Sequence, residues 1–368
     1  MSATSVTAET IEVENPATGG IAGTVPVQSA AEVAELAARA RTAQPGWAAL
    51  GFDGRAAVLL RARGWLIRNA DRVVETLVSE TGKPQDEARI AEISYPAEAF
   101  GFWAKQAPKY LAEQRVRSTS PFMVGQSLRV GYSPVGLVGV IGPWNFPLMN
   151  SFGDCIPALA AGNAVIHKPS EVTPLTAIVM GECLKECGLP ADVYVVATGY
   201  GETGAAVVDA VDYVMFTGST PTGKRIMARA AETLTPVSLE LGGKDAMIVL
   251  ADANVERAAS GAVLSAFVNC GQACISTERV YVEAPVYDEF VERVVAEVGR
   301  LRQGPPGKIG SVDVAAMTAP SQVDIVERHV NDAVAKGARA LTGGRRGSGP
   351  GNYFPRPCSS TSTTRWTA

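Results

Sequence analysis

The sequence predicts an α/β protein: a doubly wound parallel sheet followed by a second, smaller α/β unit. Three observations carry that expectation. Between residues 135 and 243, short apolar runs alternate with helical stretches across short joins, the pattern of a parallel sheet with helices packed on it. After Asp245 the alternation begins again with strands and helices of its own. The first third instead spaces Ala, Leu and Val at helical intervals among Arg and Glu. The boundary between the two units is expected near residue 242.

In chain order, residues 1–27 read as polar coil with short strands, turned at Asn15-Pro16-Ala17-Thr18-Gly19-Gly20. Helices are expected over 29–43, 55–81 and 84–114. The stretch SLRVGYSPVG (127–136) alternates and turns, which suits extended strands at a sheet edge or an arm. VGLVGVIG (135–142) opens the sheet as a buried strand. Helix 147–161, strand 163–169, helix 173–188, strand 193–199, helix 203–210, strand 213–219, helix 221–232 and strand 236–243 follow. A sheet wound this way takes its ligand at the carboxyl ends of its strands. In the second unit AMIVLADA (246–253) is a strand, 254–269 a helix, ERVYVEA (278–284) a strand, 286–302 a helix, and 321–336 a further helical segment.

Composition narrows the function. The 368 residues, 46% hydrophobic and 19% charged, hold ample apolar material for a core. A net charge of -4 with mixed signs argues against nucleic acid or an anionic membrane as main partner. The first residues have neither a basic start nor an apolar run, and no stretch of about 18 uncharged apolar residues exists, so neither signal peptide nor membrane span is expected. Six cysteines in so long a chain are more simply reduced thiols than a disulfide framework, which makes the cytoplasm the expected compartment.

Three glycine-bearing turns compete for a cofactor phosphate. Gly199-x-Gly201-x-x-Gly204 has dinucleotide spacing between a strand and a helix, although the same spacing serves as a plain strand-to-helix turn. FTGSTPTG (216–223) sets Gly218, Ser219 and Gly223 where a helix opens. Its N–H groups and positive dipole end suit a pyrophosphate, with the Ser219 hydroxyl as a further donor. HKPSE (167–171) presents Lys168 and Glu171 at a strand end, suited to the hydroxyls of an adenosine ribose; an ordinary surface pair reads equally well.

PVSLELGG (236–243) holds Glu240 inside an otherwise apolar strand. A buried carboxylate is costly unless paired or functional, and burial would raise its pKa toward that of a general base; a satisfied structural carboxylate is the other reading. In FVNCGQACIS (267–276), Cys274 follows Gly271-Gln272-Ala273, and the glycine lets backbone approach closely. A nucleophilic thiol needs a lowered pKa or a nearby base. The two histidines, His167 and His329, fall in a strand and in a late helix, so a Cys–His pair is not expected. Cys183 and Cys187 lie four apart on a helix without clustered ligands, so no metal site is expected. Cys270 reads as a half-buried thiol or, under oxidation, a partner of Cys274. Asn145, in PWNFP (143–147) just past the first sheet strand, is an amide that could stabilise an oxyanion, or a turn asparagine.

In this order, PWNFP, KPSE, FTGSTPTG, LELGGK and FVNCGQAC strongly resemble the NAD(P)-dependent, non-acylating aldehyde dehydrogenases, over residues from about 15 to 354. The resemblance implies a Rossmann-like dinucleotide-binding domain from residues 1–116 and 135–241, an oligomerisation arm over 117–134, and an incomplete catalytic domain over 242–354. It implies Cys274 as nucleophile, Glu240 as general base, and Asn145 as oxyanion donor beside the nucleophile's own N–H. Lys168 and Glu171 match the residues holding the adenosine ribose, the Gly218–Gly223 turn with Ser219 matches the cofactor-phosphate turn, and Trp144 is carried over as a cofactor contact. The Gly199–Gly204 turn then lies nearer the adenine. The implied reaction oxidises an aldehyde to a carboxylic acid with NAD, or NADP as the alternative, through a thiohemiacetal and a thioester on Cys274. Glu240 favours hydrolysis over transfer to coenzyme A, since acylating relatives generally lack it, and Glu171 favours NAD because a carboxylate repels a 2′-phosphate. Succinate-semialdehyde and broad-specificity members are nearest in overall look.

The resemblance breaks after Phe354. The family pattern ordinarily continues with a glutamate for the nicotinamide ribose, the rest of the catalytic domain and the strand that pairs with the arm. Here PRPCSSTSTTRWTA (355–368) is Ser or Thr at seven of fourteen positions. It reads as an aberrant tail, with a shifted reading frame after about residue 354 as the expected origin. Low activity, poor solubility and incomplete assembly are the expected consequences. A remnant that only binds dinucleotide or other subunits is the alternative to an active enzyme. The expected partners are a small-molecule aldehyde and other copies of the chain, with no nucleic acid, membrane or metal.

Overall fold

The computed structural model describes residues 9–123, 125–356 and 358–360. Strands β1 (Thr10–Asn15) and β2 (Gly20–Pro26) form an antiparallel hairpin. The first helix, Ala30–Ala49, starts in a capping box, with Ser29 and Glu32 satisfying each other's backbone N–H groups. It runs past the expected end at residue 43 and through Pro45, because Trp47 is buried and its Nε1 donates to the Leu159 carbonyl at 2.9 Å. The expected helix 55–81 is two, Gly51–Arg68 and Ala70–Thr81, broken at Asn69. The second ends at Gly82, whose φ of 73° is the left-handed turn that glycine permits. Where one helix was expected over 84–114, a short turn (Gln85–Glu87) and a π-helical turn (Ala88–Ile93) precede the helix Ser94–Tyr110. An exposed antiparallel pair follows, β3 (Gln114–Val116) with β4 (Leu128–Val130).

At the centre lies a sheet of β5 (Leu137–Ile141), β6 (Ala164–Lys168), β7 (Tyr194–Val196), β8 (Tyr213–Thr217) and β9 (Val237–Glu240), all parallel, in the order β7-β6-β5-β8-β9. The chain winds outward from β5 in one direction and then returns to wind out in the other, so β5 and β8 flank the switch point where ligands bind. Every residue of β5 and β6 is buried, because helices cover both faces. Leu137, Ile141, Ala164 and Ile166 face the helices Ala30–Ala49, Gly201–Ala210 and Thr220–Ala231. Val138, Val140 and Val165 face the helices Gly51–Arg68, Ala70–Thr81, Ser94–Tyr110 and Leu175–Glu186. At Gly139 a Cβ would meet Val207 at 2.9 Å and Val211 at 3.1 Å, so only glycine lets that helix lie so close.

The central sheet ends at Glu240. Strands β10 (Asp245–Val249) and β11 (Thr277–Val282) form a separate parallel pair, linked by the helix Val255–Phe267. That helix and the helix Tyr287–Arg300 enclose a small core of Val249, Val255, Ala259, Ala262 and Phe290. The helix Pro320–Ala335 follows, and β12 (Arg339–Thr342) pairs antiparallel with β13 (Cys358–Ser360). The rest of the 361–368 tail lies outside the described residues. No helix among those described is long and apolar enough to cross a membrane.

Candidate active site

Two turns leave the carboxyl ends of the central strands and meet the loop that carries the exposed Cys274. That loop begins where the helix Val255–Phe267 stops. Asn269, Cys270 and Gly271 then adopt φ of 51°, 59° and 77°, three left-handed residues in succession, two of them not glycine. Each non-glycine residue held this way costs about 1–3 kcal/mol, so the conformation persists only under restraint. The restraints are explicit. Gln272 donates from Nε2 to the Asn269 carbonyl at 2.9 Å and accepts at Oε1 from the Thr318 N–H at 3.0 Å. The Cys270 thiol donates to the carbonyls of Ala315 and Ala316, each at 3.4 Å, and burial pushes its pKa up to about 12. Cys274, by contrast, stands exposed and free beyond this buried base.

The turn after β5 brings Asn145 to that loop: its Nδ2 donates to the Gln272 carbonyl at 2.8 Å. An amide carries two N–H donors, so this bond orients the second. The turn after β9 closes in from the other side, where a Cβ on Gly243 would lie 3.3 Å from the Cys274 carbonyl oxygen. The LELGG and PWNFP segments are therefore both in contact with the loop of Cys274.

Glu240 differs from its expected setting. It sits exposed at the end of β9, paired with Thr217, and its carbonyl accepts from the Gly218 N–H at 3.0 Å. The expected cost of burial therefore does not arise. A nearby carboxyl that does feel burial is Asp154, on the helical turn Phe152–Asp154 beyond Asn145. Burial foremost and the nearby Glu240 charge second push it up to about 7.

On the cofactor side, Ser219 caps the helix Thr220–Ala231, accepting from the Thr222 N–H at 3.4 Å and donating to Thr222 Oγ1 at 2.9 Å. The hydroxyl expected as a free donor is thus engaged in the cap. The glycines keep the turn flush: a Cβ would meet Phe216 at 2.6 Å on Gly218 and Leu241 at 2.7 Å on Gly223. Lys168, at the end of β6, is buried and donates to Glu171 at 3.2 Å; burial lowers its pKa and Glu171 partly restores it. The Thr173 hydroxyl donates to the Trp144 carbonyl at 3.2 Å, tying PWNFP to this segment. A flush glycine turn at a helix N-terminus after β8, with the buried Lys168 and half-exposed Glu171 after β6 across the intervening β5, fits a dinucleotide. The Gly199–Gly204 turn lies at the sheet edge and packs on the chain at residues 26–28, through Thr198 Oγ1 to Pro26 and Thr203 Oγ1 to Gln28.

His167 is locked inside β6 between the Ser151 hydroxyl (2.6 Å) and the Tyr194 hydroxyl (2.7 Å), and burial pushes its pKa down to about 3. His329 lies on the helix Pro320–Ala335. Cys183 and Cys187 are buried at the end of the helix Leu175–Glu186.

Sequence reasoning missed Asp154 and the charged residues Lys83, Glu87 and Glu92, which lie beneath the loop. Within the single helix expected over 84–114, nothing set these two glutamates apart. The available signal was their five-residue spacing, which fits a π-helical turn, following the break at Gly82-Lys83-Pro84.

Residues 3–364 match the model of the Aldehyde dehydrogenase family. A protein of Mycolicibacterium smegmatis, whose name assigns it to the NADP(+) succinate-semialdehyde dehydrogenases, is 40% identical over 346 residues, 93% of this chain and 66% of its own length. The chain thus spans slightly less than two thirds of that relative. Among solved structures, the aldehyde dehydrogenase from Brucella melitensis biovar abortus 2308 superposes with a TM-score of 0.90 at 38% identity, covering 95% of this chain and 72% of that one. PnpE in complex with nicotinamide adenine dinucleotide gives 0.91 at 33% identity, again covering 95% and 72%. With the fold and the order of its motifs, these matches establish that the chain belongs to the aldehyde dehydrogenase family.

Proposed function

We propose that the protein oxidises an aldehyde to a carboxylic acid with a nicotinamide dinucleotide, with Cys274 as nucleophile, Asn145 as oxyanion donor and Glu240 as general base. The observation that supports this most directly is the joining of three distant segments at one loop: Asn145 bonded to Gln272, and Gly243 against the Cys274 carbonyl. Cys274 is the one thiol of the loop that is exposed, while the half-buried Cys270 beneath it is hydrogen-bonded to carbonyls and has its pKa pushed up to about 12, which disfavours the thiolate.

Lys168, Glu171, Trp144 and the turn containing Gly218, Ser219 and Gly223 would hold the dinucleotide, which supplies a hydride acceptor when bound. Cys274 gives its proton to Glu240 or water, and its sulfur bonds to the aldehyde carbon as the carbonyl electron pair moves to oxygen. Asn145 and the Cys274 N–H donate to that oxyanion. Loss of hydride re-forms the C=O bond and leaves the acyl group on Cys274 as a thioester. Glu240 then takes a proton from water, the resulting hydroxide adds to the thioester, and the C–S bond breaks to release the acid and the thiolate. A charged Glu171 beside the ribose hydroxyls favours NAD over NADP.

The test measures reduced dinucleotide at its absorbance maximum with a panel of aldehydes that includes succinate semialdehyde. Cys274→Ala is expected to abolish turnover, and Glu240→Gln to keep a first-turnover burst while losing steady-state release. A Cys274→Ala variant that turns over at the parental rate ends this reading. Dinucleotide binding without any turnover would leave a binding remnant in its place.

A further inference from the structure

Beneath the thiol loop lies a cluster of buried charge that the proposed reaction does not use. Lys83 and Glu92 form an ion pair with side chains 1% and 0% exposed. Glu92 accepts from the N–H groups of Leu148 and Met149, each at 2.9 Å. The Lys83 ammonium donates to the Asn145 carbonyl at 2.9 Å and lies 4.4 Å above the Phe146 ring. Glu87 accepts from the Asn269 N–H at 2.9 Å. Asn269 closes the circuit, its side-chain amide donating to the Asn145 carbonyl at 3.0 Å and to the Gln272 carbonyl at 3.2 Å. Buried charge is tolerated where it is paired and hydrogen-bonded. Here its bonds end on the backbone of the two segments that carry Asn145 and Cys274.

We propose that Glu87 is a positioning residue: its carboxylate holds the left-handed turn at Asn269 and thereby sets where Cys274 stands relative to Asn145. The inference rests on the reading of Cys274 as nucleophile. Asn269 is the first of the strained residues and the one whose main-chain N–H points into the charged cluster. A charge-assisted bond there restrains the turn more strongly than a neutral one.

The groups facing Glu87 are Lys83, Asp86 and the Cys270 thiol, with Glu92 behind Lys83. Burial is the largest influence and pushes the Glu87 carboxyl up to about 7, against the Asn269 N–H and Lys83, while Asp86 adds to the rise. The hold is therefore fully charged only above neutrality and slackens as pH falls through 7. For folding as a whole the sign is opposite, since a raised carboxyl pKa makes ionisation cost stability as pH rises through 7.

The test alkylates Cys274 with iodoacetamide in the purified full chain from about pH 6 to 9, with the modified site read by mass spectrometry. Glu87→Gln keeps the shape and an acceptor oxygen but removes the charge. The ratio of wild-type to variant rate is expected to change by about threefold or more through pH 7. Asp86→Asn is expected to move the inflection of the otherwise wild-type profile to lower pH, and it serves if Glu87→Gln does not fold. A flat ratio, or an inflection that Asp86→Asn leaves in place, overturns the proposal. Alkylation needs no aldehyde, so the outcome stands apart from the turnover of Cys274→Ala, which tests the nucleophile itself.

Discussion

Asn145 and Glu171 lie in turns just past strand ends and Lys168 closes a strand, where local pattern and position coincide. Cys274 instead lies on the loop between the helix Val255–Phe267 and β11, and was marked by its Gly-Gln setting. Glu240 was half legible: its position held, but its setting did not, since an apolar run says nothing about where a sheet stops covering it. The Lys83–Glu92 pair was invisible, because nothing in a helical run reveals that tertiary packing will enclose it. Glu171 carries a prediction of its own. If its charge sets cofactor choice, Glu171→Gln should raise kcat/KM with NADP relative to NAD by about tenfold, a change of roughly 1.4 kcal/mol measured with both cofactors. His167 carries another. Its folded pKa of about 3 lies below the ordinary 6.5, so the neutral form is favoured. Its contribution is full above pH 6.5 and is lost as pH falls toward 3, by roughly 5 kcal/mol at the acid limit. His167→Gln should lower stability near neutral pH and flatten the fall between pH 6.5 and 4, read by urea unfolding at each pH.

Among the elements, the strands and helices of the central sheet followed the hydrophobic pattern closely. The alternation of 135–243 reappears as β5 to β9 with helices on both faces. What the pattern lacked were the irregular turns, the π-helical segments Ala88–Ile93 and Pro147–Ser151 and the left-handed run at 269–271. These depend on distant partners, Glu92 on the N–H groups of Leu148 and Met149 and Glu87 on that of Asn269, so no local window holds their cause. The loop makes the sharpest test. At Gly271, φ is 77° and a Cβ would lie 2.9 Å from the Ala266 carbonyl. Gly271→Ala is expected to cost about 1–3 kcal/mol locally and to reduce turnover by at least about tenfold, while the thermal midpoint shifts by only a few degrees. Paired melts and rate assays would show a proportionate loss of both if the strain spread through the sheet instead.

For the whole molecule, the two units differ in how well they are covered. The central sheet is enclosed on both sides, whereas β10 and β11 carry helix cover on the Val249 and Val282 side only. One position earlier, Ile248 and Tyr281, paired with each other, face outward, Ile248 at 70% exposure. An open apolar sheet face promotes self-association. Ile248→Lys is therefore expected to reduce concentration-dependent association, measured by light scattering during size-exclusion chromatography, with the melting temperature little changed. The contrast also governs motion. Once freed, Asn269, Cys270 and Gly271 relax to ordinary backbone together, so opening the thiol loop recovers free energy that global unfolding alone would otherwise release. Amide hydrogen exchange across 269–276 should accordingly outpace exchange in β5 and β6 by orders of magnitude, and an occupant seated over the sulfur should slow it.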